Sequence, residues 1–244
     1  MEKISIITVT YNCGDILETT ILSCINQDYD NIEYLIIDGA STDRTIDVIK
    51  SYSHQITKWI SEPDKGIFDA MNKGIKMASG DWVIFMNAGD YFYQNNVLSD
   101  IFAKEDLSEF GVIHGRFMSC SNNQLELIDL TPFYRNTKSV KGMGFSHQAC
   151  FVRTDLAKEN LFSDKYKLTA DYNQLYNLYY RDNIAFKQVD TIVAVMQGDD
   201  GATQRNYINH INEVCKVCSN ASTFSKIIFK YRFLLKHYLR RILK

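Results

Sequence analysis

Three aspartates stand where apolar stretches meet polar turns. Asp38 ends the run Glu33-Tyr34-Leu35-Ile36-Ile37, Asp90 ends a turn after Trp82-Val83-Ile84-Phe85-Met86, and Asp171 opens a helical run at Thr169. A carboxylate at such a point can hold a cation against a phosphate, accept a hydrogen bond from a base, or take a proton from a hydroxyl. Taken singly, each serves equally well as a helix cap or turn residue. Together they carry more, because Asp38 and Asp90 end apolar strands on one edge of the same sheet. Ligands of open parallel α/β sheets sit beyond the carboxyl ends of the strands. The pair Cys215 and Cys218 has CxxC spacing but lacks a second pair or nearby histidines, and it falls in a helical pattern. It is read as structural.

The elements that must position these carboxylates follow from periodicity. Ile4 to Thr10 is almost wholly apolar, as in a strand buried on both faces. A helix is expected from about Asp15 to Asn26, with Ile16, Leu17, Thr20, Ile21 and Cys24 inward. The strand ending at Asp38 precedes a helix that Ser41 or Thr42 can cap, with Ile46, Val48 and Ile49 apolar. A short strand near Ile56 to Ile60, a turn from Ser61 to Gly66, and a helix from Ile67 to Ala78 lead to the strand before Asp90. There Gly89 can take a positive φ without steric cost. Alternating strands and helices predict a parallel sheet with right-handed crossovers, so about the first hundred residues form a Rossmann-like nucleotide-binding half. No GxGxxG follows the first strand and no Walker lysine loop occurs. Beyond residue 100 the pattern changes. Strands are expected at Gly111 to Met118, Leu125 to Leu130, Phe145 to Val152 and Ala185 to Met196, with a Gly-rich loop at Lys141 to Gly144 and a helix from Thr169 to Tyr180. The fold class is α/β with a mixed second half. The expected organisation is one domain over 1–200, its acceptor half at about 101–200, and a helical extension over 201–244.

Composition narrows the class. The chain has 244 residues, 45% of them hydrophobic and 23% charged, with a net charge of −2. That is ordinary globular composition with nothing to attract nucleic acid. Charge is uneven, however: Phe224 to Lys244 carries seven basic residues and no acids, leaving −9 on the remainder. Within that stretch Phe224, Ile227, Ile228, Tyr231, Leu234, Leu235, Tyr238 and Ile242 keep helical spacing. A basic amphipathic helix reads as a membrane-surface element, and a helix packed on the body is the competing reading. No apolar run approaches the ~18–20 residues that cross a bilayer. The N-terminus has no leader-like segment, and the six scattered cysteines fit reduced thiols, so a cytoplasmic protein is expected.

Several segments together resemble the family 2 glycosyltransferases of GT-A fold, the inverting sugar transferases. They are Ser5 to Asn12, Ile37 to Asp43, Glu62 to Gly74, Ala78 to Asp81, Asn87 to Asp90, Ser146 to Gln148, and Asp171-Tyr172. The resemblance spans Ser5 to about Met196 and is most specific in the first 90 residues. It implies a UDP-sugar donor. Thr8, Thr10 and Tyr11 match the segment lining base and ribose, and Asp38 matches the acceptor of a hydrogen bond from uracil N3–H. Asp64 matches a turn near the nucleotide, and Asn87 joins the nucleotide-binding set. Asp90 matches the metal-binding end of the family's DXD motif, for Mn2+ or Mg2+, and Asp171 matches the catalytic base. His147 matches the histidine of a His-Gln pair on the acceptor side, although a structural histidine fits equally. Among relatives the chain is most similar to enzymes assembling bacterial O-antigen and capsule. The resemblance thus implies a hexose transferred to a polyprenyl-diphosphate-linked acceptor such as GlcNAc-diphosphate-undecaprenol, on the cytoplasmic face of the inner membrane.

Two departures stand out. Asn87-Ala88-Gly89 precedes Asp90 where relatives carry further acids, so metal affinity without nucleotide is expected to be weak. Ala170 precedes the base where a second acid is common. The loop from Gln197 to Thr203 has the composition of a lid over the donor. A sugar nucleotidyltransferase remains an alternative, though it would need a Gly-rich basic loop near the N-terminus. So does a non-catalytic membrane-associated scaffold, against which the joint presence of Asp38, Asp90 and Asp171 argues.

Overall fold

The strands β1 (Ile4–Thr10), β2 (Ile32–Asp38) and β4 (Trp82–Phe85) are apolar along their whole length because helices cover the sheet on both faces. The computed structural model describes residues 1–104, 106–129, 132–135, 140, 142–197 and 206–242, with backbone only at 236, 237 and 239–242. Alternation along each strand sends successive side chains to opposite cores. Ile4, Ile6, Tyr34, Ile36, Trp82 and Ile84 pack with α1 (Leu17–Ile25) and α4 (Val97–Phe102). Ile7, Val9, Leu35, Ile37, Val83 and Phe85 pack with α3 (Ile67–Met77) and later helices.

Among the described residues one sheet runs β3 (Lys58–Ser61), β2, β1, β4, then β8 (Cys150–Arg153), β6 (Val112–Ser121), β9 (Phe186–Gln197) and β5 (Tyr91–Phe92), with β7 (Gln124–Ile128) paired to β6. The first four strands are parallel, and β8 enters antiparallel to β4, so the expected mixed sheet forms. Register matters for the site: Thr10 pairs with Asp38 and Asp38 with Ser61, which aligns three strand ends on one edge.

Local chemistry explains where the sequence reading slipped. Phe145 to Val152 is not one strand. Ser146 Oγ accepts the Gln148 N–H and bends the chain into a 3-10 turn (His147–Ala149) before β8 begins. Neither Ser41 nor Thr42 caps α2 (Thr45–Ser51); the Asp43 carboxylate accepts the Thr45 N–H instead. The two-residue β5, α4 and α5 (Thr154–Glu159) are too short to carry a period. The expected lid beyond Gln197, the Lys141 end of the Gly-rich loop and the Leu130 end of its strand lie outside the described residues.

The C-terminal segment shares the body's core. Ile211, Val214, Cys215, Val217 and Cys218 of α7 (Tyr207–Val217) and its C-terminus, with Phe229 of α8 (Thr223–Ile242), join the cluster under β1 and α6 (Ala170–Tyr180). Among the described residues no helix is long and apolar enough to cross a membrane.

Candidate active site

Asp90 is delivered by β4 and held from three sides. Past the end of β4 the chain still follows β1, through Met86 N–H to Ile7 O (2.9 Å) and Ala88 N–H to Val9 O (3.2 Å). It then turns, with Asp90 N–H on Asn87 O at 2.9 Å and Gly89 at φ 98°, a conformation glycine adopts without a Cβ penalty. Thr20 of α1 locks this turn: its Oγ1 accepts the Gly89 N–H (2.9 Å) and donates to Asp90 O (2.7 Å). The carboxylate itself accepts from Gln148 Nε2 at 2.8 Å and from Gln197 N–H at 3.1 Å. Burial raises its pKa against those two bonds and the nearby His147 charge.

Asp171 occupies the first turn of α6, and His147 of the 3-10 turn reaches it, with Nδ1 2.9 Å from Oδ2. On the opposite side of the ring, Nε2 lies 3.2 Å from Asn87 Nδ2. A carboxylate only accepts, so the imidazole donates from Nδ1 to Asp171. Burial alone would raise the Asp171 pKa. The His147 bond and charge, the Tyr172 N–H and the His210 charge outweigh it and hold the carboxyl below its ordinary value. Asn87 thus links the turn that carries Asp90 to the pair His147–Asp171, and its own Oδ1 is buried without a protein partner. An orphaned amide oxygen on the turn that carries Asp90 is chemistry that a cation satisfies. Among the described residues no group of three or more His, Cys, Asp or Glu side chains could hold a metal ion alone. The donor set fits a cation shared with a diphosphate, since Mg2+ sites commonly combine one or two carboxylates with phosphates.

The other expected nucleotide contacts divide. Tyr11 is 60% exposed at the end of β1. A Cβ on Gly39 would lie 2.5 Å from Asp64 Oδ2 and 3.3 Å from the Tyr11 ring, so only a glycine lets the Asp64 carboxylate and the Tyr11 ring close on the backbone here. Asp64 Oδ1 accepts the Gly66 N–H at 2.7 Å. The loops after β1 and β2 are stitched together by Asn12 N–H to Ser41 Oγ and Thr42 N–H to Asn12 Oδ1, both 2.8 Å. Asn12 (φ 49°) and Ala40 (φ 63°) sit in the left-handed region, strain that a non-glycine residue holds only when its surroundings impose it.

Two of the expected residues are buried. Thr8 is fully buried, its hydroxyl bonded to Met86 O at 2.7 Å and paired with Tyr34 OH. Asp38 is also fully buried, and its carboxylate accepts from Ser41 N–H (2.9 Å), Ser41 Oγ and Ser61 Oγ (2.6 Å). These bonds clamp the loop after β2 to β3. Thr10 lies between these cases: only 6% exposed, it has a buried Oγ1 without a protein partner. Sequence reasoning passed over Gln148 as the residue that holds Asp90, Thr20 as the anchor of its turn, and Glu213, treated below. Thr20 had been expected on the inner face of α1, and that was the available signal.

Comparison with known proteins adds the family. The model described as Glycosyl transferase family 2 matches residues 5–160. A protein of Haemophilus influenzae described as an uncharacterized glycosyltransferase is 32% identical over 133 residues, covering 52% of this chain and 53% of its own length. The chain therefore spans about half the length of that curated relative. S. aureus TarS (residues 1–349), solved in complex with UDP-GlcNAc, superposes with a TM-score of 0.69 at 18% identity, covering 97% of this chain and 72% of that one. Glucosyl-3-phosphoglycerate synthase from Mycobacterium tuberculosis was solved with Mn2+, uridine diphosphate and glucosyl-3-phosphoglycerate. It gives 0.60 at 14% identity, covering 91% and 82%. These two likenesses establish the GT-A fold.

Proposed function

The chain belongs to glycosyl transferase family 2, and from that premise we propose that it is an inverting, metal-dependent hexosyltransferase. It uses a UDP-sugar, with glucose or galactose as the sugar, and a lipid-linked acceptor of the GlcNAc-diphosphate-undecaprenol kind in O-antigen assembly. The observation that carries the reading is the connected line from Asp90 through Asn87 and His147 to Asp171. On this reading one end of the line serves the cation and phosphate and the other accepts the proton. The scaffold and nucleotidyltransferase alternatives lack a use for that line. The uridine assignment is supported by the exposed Tyr11 ring and the Asp64 carboxylate meeting at Gly39, where a carboxylate can accept from a base N–H.

Asp171 accepts the proton of the acceptor hydroxyl as that oxygen bonds to the anomeric carbon. The bond from that carbon to the diphosphate oxygen breaks on the opposite face, and its electron pair leaves with UDP. His147, donating from Nδ1, orients the carboxylate and keeps it ionised. Asn87 meets the ring at Nε2. Asp90 and Asn87 Oδ1 would hold Mn2+ or Mg2+, which when bound offsets the charge developing on the leaving diphosphate. Asp38, Ser41 and Asn12 hold together the loops after β1 and β2.

The acceptor and cellular site rest on α8. Its positions 224, 227, 228, 231, 235 and 238 form one exposed apolar stripe, flanked by Lys226, Lys230 and Arg232. Such a stripe suits a peripheral helix on the cytoplasmic face of an inner membrane, where a polyprenyl-linked acceptor resides. The test of the whole reading is UDP release from a panel of UDP-sugars with synthetic GlcNAc-diphosphate lipid, with and without Mn2+. One donor is expected to turn over in a metal-dependent way. Turnover with GDP-sugars alone would overturn the uridine assignment, and turnover undiminished by chelation would overturn the metal.

A further inference from the structure

We infer that Glu213, on α7, is a positioning residue for Asp171; the inference rests on the proposed role of Asp171 as base. The first N–H groups of a helix have no partner within it and need a cap. The N-cap of α6, Thr169, makes no side-chain cap bond of its own. The entry to α6 is instead held from 44 residues further along the chain. Glu213 accepts Lys167 N–H at 3.1 Å on Oε1, and Leu168 N–H at 2.9 Å and Thr169 Oγ1 at 3.1 Å on Oε2. One carboxylate thus fixes three successive residues immediately before the turn that presents Asp171. Its negative charge also lies at the end of α6 where a helix dipole favours an anion.

A second group on α7 faces the same way. His210, one helical turn before Glu213, is shifted down by burial and pulled back by the charges of Asp171 and Glu213. Asp171 therefore interacts with two histidines: His147, bonded to it, and His210 of α7, through charge. The proton-accepting carboxylate is positioned by two segments that meet only in the folded chain. A misplacement of about 1 Å in a reacting group can cost a hundredfold in rate, so the clamp acts on turnover more than on donor binding.

The test compares Glu213→Ala and Glu213→Gln with the wild type, using amide hydrogen exchange and steady-state kinetics. In Glu213→Ala, exchange at residues 167–173 is expected to quicken about tenfold while β1, β2 and β4 keep their protection. With the donor selected by the panel above, kcat should fall about tenfold or more, with the donor KM and UDP affinity unchanged within twofold. Glu213→Gln, which keeps one acceptor oxygen, should recover most of the loss. In an Asp171→Asn background Glu213→Ala should cost nothing further, because the group it positions is gone. Unchanged exchange at 167–173 would overturn the inference whatever the activity. So would a rise in KM alone, or an additive loss in the double variant. If Glu213→Ala does not fold, Thr169→Val removes one of the three contacts and should show the same effect on kcat at smaller size. A wild type that is inactive with every donor defeats the transferase reading instead, and the exchange result still decides the clamp.

Discussion

In the proposed reaction Asp171 and His147 set the chemistry at the scale of single residues. His147 counteracts the burial that would otherwise raise the Asp171 pKa, so the carboxylate is ionised through the neutral range. A base must be deprotonated to work, so the acid limb of kcat/KM that belongs to Asp171 should lie below the ordinary carboxylate range. Removing the imidazole leaves burial as the dominant influence, which raises that pKa. His147→Ala is therefore expected to shift the acid limb toward neutral pH, and a limb left in place would break the assignment. Asp171→Asn keeps the shape and loses the acceptor of the proton. General-base catalysis is worth about 10²–10⁴-fold, so kcat should fall by that order while UDP affinity, measured by calorimetry, stays near that of the wild type. Loss of both would mean that Asp171 contacts the donor.

Elements decide whether those residues meet. The parallel half of the sheet brings the ends of β1, β2 and β4 to one edge, but the turn after β4 still needs an anchor, and α1 supplies it through Thr20. Thr20 is fully buried, so Thr20→Val leaves the Gly89 N–H and Asp90 O without their partner at nearly constant volume. An unmet buried polar group costs about 1–3 kcal/mol, to be read as a lower urea midpoint at an unchanged m-value. The metal concentration for half-maximal activity should rise in the same variant, since Asp90 loses its fixed backbone. A stability change with no change in metal response would separate the anchor from the site.

The same elements explain what the sequence made legible. Strands buried on both faces announce themselves as apolar runs, so β1, β2 and β4 and the carboxylates at their ends could be read directly. Asp38 was legible as a position, while its hydrogen-bond partners were not. That Ser41 and Ser61 bond its oxygens depends on β3 lying beside β2, which no local pattern records. The partners of Thr8 were hidden for a related reason: its hydroxyl meets Tyr34 on the neighbouring strand. Glu213 gave no signal, because its partners lie more than 40 residues away and two of the three are backbone N–H groups.

Across the whole molecule, α8 joins the catalytic body to an outward-facing surface, and the two readings of the basic tail prove compatible. Phe229 is buried and packs on Phe233, and the Phe233 carbonyl accepts from Tyr207 OH at 3.2 Å, so one face of α8 belongs to the core. The opposite stripe leaves Phe224 73% and Tyr231 76% exposed, large aromatic surface that no packing within the chain removes from water. Burying such a side chain is worth up to about 1.5–3 kcal/mol, and each basic residue near an anionic surface adds roughly 1 kcal/mol. Vesicles containing phosphatidylglycerol should therefore bind the protein, more weakly as salt rises, while vesicles of phosphatidylcholine bind it poorly. Phe224→Ser with Tyr231→Ser changes only the outer stripe and should weaken sedimentation with anionic vesicles at least tenfold, with turnover of a water-soluble acceptor analogue unchanged. Binding that survives this pair of substitutions would assign the outer stripe to another copy of the chain or to a protein partner, and a concentration-dependent change in mass would then identify the former.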